Sequence, residues 1–273
     1  MQLRKVRDCR ANRKGTALSP ILLGTLGGLV AAIATAAGAL PAMFGKSMSQ
    51  RTADTMLGFA AGVMLSASYF SLILPGIDAA EELYGSVAFA AAVAGIGIAL
   101  GAGFVWGLDK LLPHEHFKTG REGADPGHLA RIWLFVIAIT IHNVPEGLSI
   151  GVAFGSDTAK GLSVMTGISI QDMPEGLAVA VSMIGLGYSK AKAFLVTAAT
   201  GLVEALGGFL GAAAVTVSGQ LLPWGLTFAA GAMLYIISHE IVPETHRNGH
   251  QDRATVGLLF GLILMMFLDV TLG

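Results

Sequence analysis

The chain has 273 residues, of which 53 % are hydrophobic and only 13 % charged, and its mean hydropathy is +0.68. That balance excludes an ordinary soluble domain and reads as a membrane protein, with 37 glycines of the kind that let membrane helices approach closely. The formal net charge of −1 says little by itself and gives no reason to expect a nucleic-acid partner, while the single cysteine, Cys9, excludes a disulfide framework or a thiolate metal site within one chain.

Residues 1–16 form a basic, polar arm. The apolar run that follows, residues 17–44, is too long for the apolar stretch of a signal peptide and reads as a first membrane helix. Further apolar runs lie at about residues 55–77, 83–112, 131–154, 160–186, 191–218, 222–244 and 254–272. The fold class predicted is therefore an all-α integral membrane protein of eight transmembrane helices. Residues 17–273 form its single domain, with a cytoplasmic loop at about residues 113–130.

The basic residues orient these spans. The loops after spans one, three, five and seven hold Lys46, Arg51, Lys110, Lys118, Arg121, Arg131, Lys190, Lys192, Arg247 and Arg253; the opposite loops hold Lys160 alone. The positive-inside rule puts the first group in the cytoplasm and both termini outside, in a multi-pass protein of the bacterial inner membrane. The arm, with its six Lys and Arg, opposes this orientation, and the balance of ten against seven favours it.

Two hexapeptides sit in the middle of spans four and five: His142-Asn143-Val144-Pro145-Glu146-Gly147 and Gln171-Asp172-Met173-Pro174-Glu175-Gly176. In a helix His142 and Asn143 share a face with Glu146. Pro145 and Pro174 have no N–H, so the carbonyls of Ile141 and Ile170 lose their partners and both helices are expected to be kinked or broken there. Each copy thus offers imidazole or amide, carboxylate and a freed carbonyl at one membrane depth, where polar groups are costly and mark ion or proton pathways. Glu146, Asp172, Glu175 and Glu204 all fall at that depth without a Lys or Arg, so bound metal ions or protons are the charge left to compensate them.

Repetition extends further. Ala60-Ala61-Gly62-Val63-Met64-Leu65 of span two resembles Ala229-Ala230-Gly231-Ala232-Met233-Leu234 of span seven, and these spans, like four and five, run in opposite directions. Inverted repeats around a midplane site are the signature of secondary transporters.

At these residues the sequence resembles the ZIP family of divalent-metal transporters, in its bacterial branch. The carriers are the two hexapeptides, Glu204 in span six, and Ser238-His239-Glu240-Ile241-Val242-Pro243-Glu244-Thr245-His246 in span seven. The resemblance implies an eight-helix homodimeric transporter with a two-metal centre. One ion would be held by Met64, His142, Glu146, Gln171 and Glu175; the other by Asn143, Glu146, Asp172, Glu175 and Glu204. It also implies an elevator-like movement of spans one, four, five and six against the other four. Met64 enters only through the resemblance, because a methionine in an apolar helix is ordinarily packing.

His239 and Glu240 are candidate relay ligands toward the cytoplasm. Asp109, His114 and His116 mark the mouth of the longest loop, where a solvated charged run is the plainer reading. Asp78 and Asp269 stand near the outer ends of spans two and eight, placed to collect cations or simply to be solvated. Carboxylate, amide, imidazole and thioether suit Zn²⁺, and also Cd²⁺, Fe²⁺ or Mn²⁺, as substrate; no further cofactor is expected. An enzyme is not expected: a zinc-protease motif beginning at His239 needs a second His where Pro243 stands. A proton-coupled carrier of another solute is the remaining alternative, since buried carboxylates also relay protons.

Overall fold

Among the residues that the computed structural model describes, eight long helical rods carry almost all of the backbone. These residues are 18–45, 49–111, 114–116, 120–122, 131–185, 187–246 and 249–272. The basic arm and most of the loop near residues 113–130 lie outside the described residues. The rods are α1 (Pro20–Gly38, continued by a short turn, Leu40–Met43), α2 (Gln50–Tyr84), α3 (Val87–Leu111), α4 (Arg131–Ser156), α5 (Thr158–Gly185), α6 (Lys190–Val217), α7 (Leu222–His246) and α8 (Gln251–Leu272). Where caps are made they follow local chemistry. Ser19 accepts from Leu22 N–H at 3.2 Å with Pro20 opening α1, and Ser189 accepts from Lys192 N–H at 3.3 Å to open α6.

The all-α class expected from the sequence holds, with one minor addition in a loop. A two-stranded antiparallel ribbon, β1 (His114–His116) and β2 (Gly120–Glu122), lies between α3 and α4, pairing Glu115 with Arg121. Its strands are short enough to be set by local turn geometry, which a hydropathy pattern does not register.

The irregular backbone also falls elsewhere than expected. α4 and α5 continue as α-helix through Pro145 and Pro174. A proline removes one intrahelical bond, and neighbouring helices and side chains can absorb that loss within a membrane protein. The departures occur instead in α2 and α7, as π-helical turns at Ala67–Ile73 and Ile237–Ile241. Both follow the repeated Ala-Ala-Gly-x-Met-Leu segment, and both are followed by a proline, Pro75 and Pro243. Such turns are rare and often mark functional positions.

Among the described residues, six rods are long and apolar enough to cross a membrane, which makes this a multi-pass membrane protein. The rods that carry the hexapeptides, α4 and α5, are not among these six. Their outward neighbours show why hydrocarbon is the medium: α6 exposes Leu195, Leu202, Leu206 and Leu210, a stripe at helical spacing.

The rods pack as two sets. In one, α6 lies against α1 and α4, and α1 against α5; in the other, α2 lies against α8 and α3 against α7. Within each set glycines bring backbone onto backbone. A Cβ at Gly62 of α2 would overlap the Leu258 carbonyl of α8, and one at Gly231 of α7 the Ile98 carbonyl of α3. Between the sets the neighbours are side chains: Gly167 of α5 faces Met265, and a Cβ on Gly225 of α7 would lie 3.3 Å from the Val152 methyls of α4. The main apolar cluster, which includes Met64, Ile141, Val152, Leu226, Met233 and Met265, fills this boundary.

Candidate metal centre

The site is assembled by four helices, α1, α4, α5 and α6, whose backbones touch through glycine. Gly147, the last residue of the first hexapeptide, packs against the Glu204 carbonyl, and Gly28 of α1 reaches the same carbonyl from another side. Gly176, closing the second hexapeptide, packs against the Thr35 carbonyl of α1. A side chain at any of these positions would push the helices apart, so the glycine that follows each Pro-Glu sets the depth at which the preceding carboxylate sits.

The consequence is a fully enclosed group of carboxylates. Glu146, Asp172 and Glu175 are buried, and one oxygen from each falls within 4.8 Å of the others. Glu204 is also buried, with Oε1 accepting from the Asn143 amide at 2.9 Å and from the Thr35 hydroxyl at 3.1 Å. The second hydrogen of the Asn143 amide goes to the Thr200 carbonyl at 3.1 Å. With its nitrogen committed, Asn143 has only Oδ1 left to offer an ion. Gln171 donates through Nε2 to Glu146 Oε1, which likewise turns its own oxygen the other way.

What is left over decides the chemistry. Glu146 Oε2, Gln171 Oε1, Asp172 Oδ2 and Glu204 Oε2 are buried oxygens with no hydrogen-bond partner among the described residues. Native proteins pair such atoms almost without exception, and orphans clustered in one place point to a missing ion or proton. All four are oxygens, three of them carboxylate, which is the donor set of a divalent cation.

His142 does not join the carboxylates directly. Its Nε2 contacts Glu240 Oε2 in the π-helical turn of α7, across the boundary between the two sets of helices. Met64 is 1 % exposed and packs in the apolar cluster that also holds Ile141, the neighbour of His142. Asp109, near the end of α3, is buried as well. His239 is exposed, its ring 4.9 Å from that of Tyr235. Asp269 accepts from Ser71 at 2.5 Å, and Asp78 is exposed, so neither belongs to the cluster. For His114 and His116 only the backbone is described.

Sequence reasoning had no hold on Thr35 or on the Thr200 carbonyl. A threonine in a membrane helix usually satisfies itself on the carbonyl four residues back, as Thr25 does on Ile21 at 2.7 Å. Only the fold brings Thr35 to Glu204.

The family model described as ZIP Zinc transporter matches residues 113–269. The chain belongs to the ZIP family. It is 50 % identical over 249 residues to the zinc transporter ZIPB of Bordetella bronchiseptica, covering 91 % of this chain and 81 % of that one. It is 40 % identical over 251 residues to the zinc transporter GufA of Myxococcus xanthus, covering 92 % and 99 %. Against the zinc transporter ZupT of Chlorobaculum parvum the identity is 32 % over 250 residues, with 87 % and 92 % covered. The matched region contains both hexapeptides, Glu204 and the His239-Glu240 pair.

Proposed function

We propose that this protein moves a divalent transition metal, Zn²⁺ foremost, into the cytoplasm through a two-metal site at mid-membrane. The observation that carries the reading is the cluster of partnerless oxygens on Glu146, Gln171, Asp172 and Glu204, sealed inside a membrane protein with no Lys or Arg among them. Relatives named zinc transporters, matched over 81 % and 99 % of their own lengths, support the choice of ion. One ion falls to His142, Gln171, Glu146 and Glu175, with Met64 as a thioether neighbour. The second falls to Asn143, Asp172 and Glu204, and the two glutamates bridge. To reach the first ion His142 must leave Glu240, so loading the site breaks a contact that ties one set of helices to the other.

On this reading α4 and α5 also cross the membrane, making eight spans with both termini outside, and Pro145 and Pro174 give each ligand-bearing helix a soft point one residue before its glutamate. Exchanging α1 with α6, α2 with α7, α3 with α8 and α4 with α5 carries the observed packing partners onto one another, as an inverted repeat requires. Alternating access is then a slide of α1, α4, α5 and α6 along the other four, with glycine contacts keeping each set rigid and side chains alone at the boundary between them. Purified protein in liposomes loaded with a zinc-sensitive dye tests the proposal. Zinc-dependent signal above that of empty liposomes is expected; its absence at every imposed pH and voltage refutes transport. A protein that moves protons but binds no zinc in equilibrium dialysis is instead the carrier of another solute.

A further inference from the structure

α1 contributes none of the ligands assigned above, yet it places one polar side chain at the metal centre. Thr35 is 2 % exposed, and its Oγ1 lies 3.1 Å from Glu204 Oε1. The same oxygen accepts the Asn143 amide at 2.9 Å, so two donors from two different helices converge on it, while Glu204 Oε2 has no partner among the described residues. The alternative acceptor for Thr35 is the Ala31 carbonyl, at 3.2 Å. A hydroxyl has one proton to give, and an ionised carboxylate is a stronger acceptor than a carbonyl, so Glu204 takes it when charged.

The packing gives Thr35 a definite place in the architecture. The glycine of the first hexapeptide rests on the backbone of Glu204, and the glycine of the second rests on the backbone of Thr35. Thr35 therefore stands to the second hexapeptide as Glu204 stands to the first. At this position α6 supplies an acid and α1 a hydroxyl, and the two side chains meet.

We propose that Thr35 is a positioning residue of the second metal site: with the Asn143 amide it holds Glu204 by Oε1, so that the ion is offered Oε2 alone. A carboxylate pinned in this way binds an ion through one oxygen. That suits Zn²⁺ in a compact coordination sphere better than a larger cation that accepts both oxygens of a carboxylate. The inference rests on the two-metal reading, and its test separates the two.

The test is zinc titration of the detergent-purified full chain by calorimetry, comparing wild type, Thr35→Val, which keeps the shape and loses the hydroxyl, and Thr35→Ser, which keeps the hydroxyl. Losing a hydrogen bond to a charged group should weaken the second equivalent about tenfold or more in Thr35→Val, with the first equivalent unchanged and Thr35→Ser close to wild type. In competition, the preference for Zn²⁺ over Cd²⁺ at the second site should fall in Thr35→Val alone, a readout that general loss of stability does not move. Adding Thr35→Val to Glu204→Ala should change nothing further, because the hydroxyl then has no carboxylate to hold. Wild type that binds fewer than two equivalents overturns the two-metal reading and this inference with it. Wild type that binds two, with a Thr35→Val second equivalent of equal affinity or with Thr35→Ser as impaired as Thr35→Val, overturns only the role of Thr35.

Discussion

At the scale of single residues, the proposed two-metal site gives its two ions different ligands, and that difference can be measured. Glu204→Ala removes a ligand of the second ion only, so metal per chain should fall from two to one with some zinc flux retained. His142→Ala and Glu175→Ala strip the first ion of a ligand and a bridge, and flux in liposomes should vanish. A wild-type value of one ion, or a Glu204→Ala protein without metal or flux, contradicts the assignment. Acidity acts on the same atoms. Glu146, Glu175 and His142 must be deprotonated to bind, so binding releases protons and affinity must fall as the solution is acidified. Titration calorimetry at several pH values should show that slope, and a flat profile from neutral to clearly acidic conditions excludes these ligands. The residues legible in the sequence were those whose burial is costly: a carboxylate at membrane depth announces itself, as Glu146, Asp172, Glu175 and Glu204 did. Thr35 was silent because a hydroxyl can satisfy itself within its own helix. The contact between His142 and Glu240 was silent because it joins residues 98 positions apart in the sequence.

At the scale of helices, glycine decides which rods may touch. A Cβ at Gly62 would overlap the carbonyl of Leu258, so Gly62→Val should separate α2 from α8 and cost roughly 1–3 kcal/mol or more, seen as a lowered midpoint of thermal unfolding in detergent. Gly95 of α3 has nothing within 4 Å of such a Cβ, and Gly95→Ala should be neutral or stabilising by up to about 1 kcal/mol. Equal effects from the two substitutions would contradict this packing. The hydropathy pattern located the apolar helices because their length and composition are set by the hydrocarbon. It misjudged the prolines, because a proline's effect depends on what neighbouring helices supply, and α4 and α5 pass through theirs unbroken. It gave no sign of the π turns, whose extra residue leaves the apolar composition of α2 and α7 unchanged.

At the scale of the molecule, the two sets of helices should move as units. With Cys9→Ser as background, a Val152→Cys and Gly225→Cys pair lies across the boundary, where the added Cβ of residue 225 would sit 3.3 Å from the methyls of Val152. Oxidation of that pair should halt zinc flux, and reduction should restore it. A Gly155→Cys and Val215→Cys pair lies within one set, at a Cβ separation of 3.0 Å, and its oxidation should leave flux intact. Equal inhibition by both bridges would show that transport does not proceed by sliding. The contrast between glycine seams inside each set and methyl and thioether contacts between them has a further bearing on how such a carrier can change over generations. On the proposed mechanism the metal ligands other than the Met64 thioether all stand on one block, whereas Val63, Val152, Leu226 and Met265 would form the bearing along which that block travels. Substitutions in the bearing can reset how fast the carrier cycles without altering what it carries, so turnover and selectivity are written in separate sets of residues and are free to be tuned apart.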